Sequence, residues 1–292
     1  MDLKKPYSIN EQIKKLEEHG VVVDDVELTR NVLQQISYYR LSGYMLQHRI
    51  NPHSGKLTPG IKFTDIYKIY QFDEELRCLL RYFIEKAEFY YKNLIGNEFA
   101  MLKCVSPPYD QHYDENNYYD KGGFNSTLQN FAKKKMYYRD SAIVKHHISR
   151  YQDKMPIWVM MELMTCSSMS KFYHALYRTD KDAIADKIGI SASTLDNHLH
   201  SLSVLRNKCS HGVRLYNSVF NPPVRFNRNF LRANPEIKND SLFAYCLMLI
   251  KRLPTDNDRK KFSDKLIQLV KKYENVIDLK AIGFPEYYRD IL

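Results

Sequence analysis

One long apolar stripe constrains the fold of this chain more than any other feature. From Thr64 onward, apolar residues recur mostly at steps of three and four positions, as they do on one face of an α-helix: Ile66, Ile69, Leu76, Leu79, Leu80, Phe83, Ile84, Ala87, Leu94 and Ile95. The spacing predicts a single helix of about 35 residues. No run of alternating apolar and polar residues with turn signals predicts strands. We therefore expect an all-α fold.

Helix-start and loop signals divide the rest of the chain. Ser8-Ile9-Asn10-Glu11 is a capping box that predicts a helix to about Glu18, and Asp24-Asp25 can open a second helix through Gln35. Glycines, prolines and polar residues predict loops at 51–60 and 104–124. Further helical segments are expected at 38–44, 125–150, 157–176, 181–188, 193–211, 240–252 and 256–275.

The charge balance favours a polyanionic partner. The net charge is +10, which attracts nucleic acid or an anionic membrane, although a merely soluble basic protein could carry the same charge. The 23 tyrosines shift the balance to nucleic acid, because aromatic rings stack on unpaired bases while cations follow phosphates. Five separated cysteines indicate reduced thiols. The first ten residues lack a signal-peptide pattern and the longest apolar stretch, 242–250, is short, so we expect a cytoplasmic protein with no membrane partner.

The segment from Leu205 to Gly212 carries the residues best suited to chemistry. Arg206, Asn207 and His211 form an RN-x3-H pattern. Spacing alone is weak evidence, since Arg139 and His146 satisfy the looser R-x6-H form. Residues five apart on an ideal helix are about 140° apart, so Arg206 and His211 would not face one phosphate from a continuous helix. Gly212 predicts that the helix ends at the histidine.

Several ordered blocks of sequence resemble one known family. The blocks are RNKCSHGVRLYN at 206–217, YYRLSGY at 38–44, FDEELR at 72–77 with Glu85 and Glu88 beyond it, and PIW with Glu162 at 156–162. Together they resemble the Abi-like (abortive infection, AbiD/AbiF-type) proteins of the HEPN ribonuclease superfamily. The resemblance spans about residues 25–223. It implies a single all-α domain, a HEPN-type helical bundle, with its core at 64–220. An N-terminal helical segment at 1–60 and a C-terminal helical extension at 236–292 would flank that core.

The resemblance implies a metal-independent endoribonuclease of bacterial phage defence that needs no cofactor. Histidine can move the proton of a ribose 2′-OH or of the leaving 5′-oxygen, and arginine can stabilise the charge developing on phosphorus. The products would be a 2′,3′-cyclic phosphate and a 5′-OH. The expected partners are substrate RNA, a second copy of the chain in a homodimer, and a restraining protein antitoxin or small structured non-coding RNA.

The predicted site residues fall into three groups. Those expected to be catalytic are Arg206, His211 and Asn207, those expected to bind RNA are Lys208, Arg214 and Asn217, and Glu162 is expected to position Arg206. Tyr39, Arg40, Asp73 and Arg77 match family blocks but are interpreted as packing and helix-pairing residues.

Two other functions also fit the sequence. Residues 182–202 resemble a helix-turn-helix, with Ala185, Gly189 and Leu195 at its small, turn and apolar positions, which would make the protein a DNA-binding regulator. Against this, no Arg or Lys lies between Ser193 and Arg206 to read bases or anchor phosphates. A HEPN module that binds RNA or protein without cutting is the third reading, since a fold does not guarantee activity.

Overall fold

The computed structural model describes residues 5–51 and 55–292, and over these residues the fold is all-α, as predicted. Only isolated bridges, such as Val22 with Lys62, form between extended segments of this part. The α-helices are α1 (Ile9–Glu18), α2 (Val26–Gln35), α3 (Tyr38–Met45), α4 (Phe63–Lys103), α5 (Lys121–Tyr137), α6 (Ala142–Arg150), α7 (Ile157–Leu163), α8 (Cys166–Ala175), α9 (Arg178–Asp186), α10 (Ala192–Ser210), α11 (Arg228–Ala233), α12 (Leu242–Arg252), α13 (Asp256–Tyr273) and α14 (Tyr288–Ile291). Short 3-10 helices lie at Leu46–His48, Gln111–Tyr113, Glu115–Asn117 and Lys280–Ile282.

Helix α4 is the axis of the fold. Its 41 residues exceed the predicted length, and its buried stripe includes Ile66, Leu76 and Phe83. Helices α3, α7, α9, α10, α12 and α13 all pack against it. The C-terminal helices α12 and α13 thus share the core with α4 rather than forming a separate unit, and Phe83 of α4 meets Phe262 of α13 edge-on at 5.0 Å.

The N-terminal helices begin where the capping signals predicted. The Ser8 backbone N–H donates to the Glu11 carboxylate at 2.7 Å, and the Glu11 N–H donates to the Ser8 hydroxyl at 3.3 Å, which completes the capping box. Asp25 caps α2 by accepting a hydrogen bond from the Leu28 N–H at 2.9 Å. Residues 52–54 of the predicted loop, and residues 1–4 of the N-terminal segment, lie outside the described residues.

Two predicted segments differ from the structure. The single helix expected at 157–176 is two helices, because Met164 is extended and the Thr165 hydroxyl caps a new helix through the Ser168 N–H at 3.1 Å. The loop expected on the surface at 104–124 is partly buried. Tyr118 is fully buried in it and stacks on Phe124 with 4.0 Å between the ring centroids.

His198 on α10 makes stability depend on pH. It is 3% exposed, and burial together with the charges of Arg252 and Lys251 lowers its pKa to about 4. Its pKa in the unfolded chain is near 6.5, so the stabilisation is complete above that value and is lost as the pH falls from 6.5 towards 4. We expect a loss of up to about 3 kcal/mol from this group by pH 4. Urea unfolding at pH 7.5 and 4.5 should show a smaller pH effect in His198→Gln than in wild type, and equal pH effects would contradict this assignment.

Candidate functional site at the end of helix α10

The RN-x3-H motif occupies the C-terminal end of α10. The helix stops at Ser210, His211 is its C-cap, and Gly212 follows in the left-handed conformation with φ of 62°. The Val213 N–H donates to the Lys208 carbonyl at 2.9 Å and the Gly212 N–H to the Cys209 carbonyl at 3.3 Å, the two bonds of a Schellman motif. The predicted helix end is therefore confirmed, and His211 lies where the regular turn geometry stops.

Arg206 lies half-exposed beside Asn207 and Glu88. Its Nη1 is 3.5 Å from the Asn207 Oδ1, and its Nε is 3.9 Å from the Glu88 carboxylate. Glu88 also pairs with Lys92 at 2.9 Å, and the side chains of that pair are only 12% and 6% exposed. Glu88 thus lies between two cations on α4 and α10, while the Arg206 side chain remains 39% exposed. The guanidinium can reach a ligand from solvent.

The two remaining side chains at the helix end differ in exposure. His211 is exposed, and within residues 5–51 and 55–292 its ring makes no hydrogen bond. Both ring nitrogens are therefore free to exchange protons with a substrate. Cys209 is buried, and burial raises the pKa of its thiol to about 12. It stays a thiol at neutral pH and is not suited to act as a nucleophile.

The three residues predicted to bind RNA spread over the helix end and the following loop. The Lys208 ammonium lies 5.0 Å from the centre of the Phe220 ring. Arg214 is half-buried and donates from Nη1 to the Gly43 carbonyl of α3, so it joins the loop to that helix. Asn217 is exposed with φ of 48°, a left-handed conformation that asparagine tolerates better than most residues.

The structure gives Arg206 a different carboxylate partner from the predicted one. Glu162 is exposed and forms no ion pair in the described part of the chain, whereas Glu88 does contact Arg206. The reason is the orientation of α7, which buries Ile157, Met160 and Met161 and so turns Glu162 outward. Glu88 lies three turns beyond the FDEELR block, whereas Arg206, with which it pairs, lies far away in sequence.

A buried cluster anchors the segment that follows the motif. Asp73 is fully buried and accepts hydrogen bonds from the Tyr44 hydroxyl at 2.7 Å and from the backbone N–H groups of Leu215 and Tyr216 at 3.1 and 2.8 Å. It also pairs with Arg77 one turn further along α4. Burial works against the charge of Arg77, but the Asp73 carboxylate together with the hydroxyl groups of Tyr44 and Tyr70 outweighs it, and the pKa of Arg77 is raised. One carboxylate thus joins α3, α4 and the loop after His211.

Arg40 reaches the motif itself. Its Nη1 donates to the Gly212 carbonyl at 2.6 Å and so holds the residue after His211 against α3. The interpretation of Arg40, Asp73 and Arg77 as packing and helix-pairing residues therefore agrees with their contacts. Tyr39 differs, because it is 88% exposed and cannot serve as a packing residue within this chain.

The helix-turn-helix reading conflicts with the packing of α10. Helices α9 and α10 do meet across a turn at Gly189, where φ is 66°. A recognition helix, however, must present one long face to a DNA groove. Helix α10 instead packs against α4, α8, α9 and α12, and buries Leu195, Leu199 and Leu202. The first three turns of α10 belong to the core, and this disfavours its insertion into a DNA groove as a recognition helix.

Metal binding and membrane insertion are two further properties on which the described residues bear. No group of three or more His, Cys, Asp or Glu side chains in these residues is placed to hold a metal ion. No helix among them has both the length and the apolar character needed to cross a membrane.

These features define an all-α protein with a half-exposed Arg-Asn pair and a free histidine at the end of a central helix. The sequence profile of the Abi-like protein family matches residues 31–217, well over half of the chain. The chain belongs to the Abi-like family, and this membership suggests a role in abortive infection. No curated protein and no solved structure gives a significant match.

Proposed function

We propose that this protein is a metal-independent endoribonuclease of the HEPN type that acts in abortive infection. The observation that carries the proposal is the end of α10, where the half-exposed Arg206 and the exposed, unbonded His211 flank the helix terminus. These are the two side-chain types that cleavage by a ribose 2′-OH requires. Family membership supports the biological role.

The proposed reaction is an internal transfer at phosphorus. A histidine takes the proton of the 2′-OH, the 2′-oxygen forms a bond to phosphorus, and the bond from phosphorus to the 5′-oxygen breaks. The leaving oxygen gains a proton from a second acid. The products are a 2′,3′-cyclic phosphate and a 5′-OH, and no water is consumed in this step. The guanidinium N–H groups of Arg206 donate hydrogen bonds to the phosphate oxygens as these gain negative charge.

The neighbouring residues have supporting roles in this proposal. Asn207 orients Arg206 or donates to a phosphate oxygen, because its amide oxygen already faces the guanidinium. Lys208 and Asn217 contact the RNA backbone, and Arg214 positions the loop through Gly43. Glu88 holds Arg206 electrostatically and takes the part first assigned to Glu162.

A homodimer would supply the second acid. In a two-fold dimer both copies of one surface meet, so two His211 side chains can flank one phosphate. An exposed aromatic surface lies on the helix that contacts the motif through Glu88: Phe89, next to Glu88 on α4, is 54% exposed, and Tyr82, seven residues earlier, is 55% exposed. Exposed aromatic residues of this kind are enriched at protein interfaces.

Phe89→Glu should therefore weaken both dimer formation and cleavage. Placing a like charge in both halves of an apolar two-fold contact typically costs several kcal/mol. Analytical ultracentrifugation should show a shift from dimer to monomer at micromolar protein, with a parallel fall in RNA cleavage. Tyr119→Glu is the matched control, since Tyr119 is 76% exposed and lies in the segment between α4 and α5, outside α4 and α10. A dimeric, fully active Phe89→Glu protein would contradict this interface.

Cellular control of such an enzyme is also part of the proposal. An unrestrained ribonuclease would damage its host, so a structured non-coding RNA or a protein antitoxin is expected to hold it inactive. Basic residues suited to an RNA partner include Lys133 and Lys134 on α5, which form no ion pair in the described residues.

The deciding experiment determines which chemical groups the cleavage products carry at their ends. Purified protein in excess EDTA is incubated with a labelled RNA and with the same oligonucleotide made of DNA. We expect cleavage of RNA only. The products should carry a terminal 3′-phosphate only after the cyclic phosphate has been opened. Cleavage of DNA, loss of activity in EDTA, or products with 3′-OH ends would each overturn the proposed chemistry. RNA binding without cleavage would favour the non-catalytic HEPN module.

A further inference from the structure

A second concave site lies at the opposite end of α10 from the motif. A cavity of about 460 Å³ is bounded by the first turn of α10, the last residues of α12 and the segment at 225–230. Its size falls within the range of about 300–1,000 Å³ typical of small-ligand sites. Since α10 has 19 residues, a rise of 1.5 Å per residue puts this cavity roughly 28 Å from His211. It is a separate site.

The cavity carries positive charge without a counter-charge. Arg225, Lys251 and Arg252 line it, none of the lining residues is acidic, and none of the three forms an ion pair in the part of the chain described. The backbone adds to this charge, because the first N–H groups of α10 have no partner within the helix. Burial and the neighbouring Arg252 lower the pKa of Lys251, as expected for a cation that lacks an anion. An anionic group would relieve this repulsion.

Aromatic rings form another wall of the same cavity. The rings of Phe226 and Phe230 lie 5.2 Å apart, and the Lys251 ammonium is 5.0 Å from the centre of the Phe230 ring. Both phenylalanines are only partly buried, so part of each ring is accessible to a ligand. A flat aromatic ligand stacks on such surfaces, whereas inorganic phosphate gains nothing from them.

His198 adds a hydrogen-bond acceptor with no partner. It lines the cavity and is 97% buried, and its Nε2 is 2.7 Å from the Arg225 carbonyl oxygen. A carbonyl only accepts hydrogen bonds, so Nε2 carries the proton and Nδ1 of the neutral ring is an acceptor. That Nδ1 is buried and unpaired in the structure. Unpaired buried polar atoms are uncommon, and a ligand with an N–H or O–H group would satisfy this one.

We propose that this cavity is a nucleotide-binding site. The phosphate is held by Lys251, Arg225 and the start of α10, and the base lies against Phe226 and Phe230. A base amino group or ribose hydroxyl donates to the free nitrogen of His198. Only a ligand that combines an anion, a flat ring and a donor uses all three walls. The nucleotide is either free in solution or the 5′-phosphorylated end of an RNA.

Calorimetric titration of the whole protein tests the site without reference to cleavage. The probes are adenosine 5′-monophosphate, uridine 5′-monophosphate, inorganic phosphate and adenosine. At least one monophosphate should bind, and phosphate or adenosine alone should bind roughly tenfold or more weakly, since each lacks the contacts of one wall of the cavity. Equal binding of inorganic phosphate and the nucleotides, or no binding of either nucleotide, would overturn the proposal.

Matched variants locate the binding. Lys251→Gln should weaken nucleotide binding roughly tenfold, the effect of one lost charged contact. Lys260→Gln removes the same charge from an exposed position of α13 outside the cavity and should bind as wild type. Phe230→Leu removes a ring but keeps an apolar side chain, and it should weaken adenosine 5′-monophosphate more than inorganic phosphate. Unchanged binding in both cavity variants would place the nucleotide elsewhere and refute the assignment.

Two oligonucleotides distinguish the sources of the ligand. An uncleavable 2′-O-methyl RNA is prepared with a 5′-phosphate and with a 5′-OH, and each competes against adenosine 5′-monophosphate. Stronger competition by the phosphorylated form supports an RNA end as the occupant, and competition by free nucleotides alone supports a free nucleotide. Because neither measurement depends on His211, the site can fail while the nuclease proposal stands, and the reverse is also possible.

Discussion

His211→Ala is expected to lower the rate of RNA cleavage by roughly 10²–10⁴-fold, the contribution of a positioned general acid or base. In the proposed dimer the loss is at the upper end, because one substitution removes both the base and the acid. RNA affinity should change little, since the exposed ring makes no contact that orders the surface around it. Single-turnover cleavage in EDTA, with filter binding on the same preparations, measures the two quantities separately.

His146→Ala is the matched control for that variant. His146 is exposed and belongs to the looser R-x6-H pattern that starts at Arg139. It should retain full activity, and loss of cleavage in His211→Ala but not in His146→Ala would exclude a contaminating nuclease as the source of cleavage. Arg206→Lys keeps the positive charge but not the planar set of N–H donors of the guanidinium. Its cleavage rate should still fall about 10²-fold, as when one stabilising donor is removed. Cleavage by His211→Ala at the wild-type rate would refute the catalytic role of the motif.

Helices whose signals are local were predictable from sequence. The capping box at Ser8 fixes the start of α1, and the three- and four-residue stripe fixes most of α4. The break between α7 and α8 was missed, because apolar residues continue through it and only the Thr165 cap marks it. A threonine hydroxyl can cap a helix or lie in its interior, and tertiary packing decides between the two.

The position of the candidate site residues at a helix end was predictable from sequence, and the contacts that support them were not. One short segment contains Arg206, Asn207 and His211, and Gly212 predicts the end of the helix. The Glu88 contact joins residues more than a hundred positions apart, so no local pattern encodes it. The same holds for the cavity at the start of α10, whose cations come from separate segments of the chain. Both Glu88 and Glu162 stand in matching blocks of sequence, and Glu162 was the predicted partner of Arg206, but the orientation of α7 turns it outward.

Asp73→Asn is expected to destabilise the fold by about 3–5 kcal/mol, the usual cost of removing one partner of a buried ion pair. Asp73 is fully buried and Arg77 is 7% exposed, so solvent cannot replace the lost charge. The amide keeps the shape of the carboxylate but has only one oxygen for the four donors of Tyr44, Arg77 and the loop. Chemical unfolding with urea measures the free-energy loss.

The same substitution should also impair cleavage below the unfolding transition. The N–H groups of Leu215 and Tyr216 are held by Asp73, and they lie four and five residues after His211. If that loop loosens, His211 loses its fixed position and the cleavage rate falls while RNA binding persists. Glu74→Gln, at the exposed neighbouring position of α4, removes an equal charge and should change neither property. An Asp73→Asn protein as stable and as active as Glu74→Gln would show that the buried carboxylate anchors neither the fold nor the helix end. Reduced stability with a normal cleavage rate in the folded fraction would separate the two roles, because the loop would then be held by Arg40 at Gly212 and by Arg214 at Gly43.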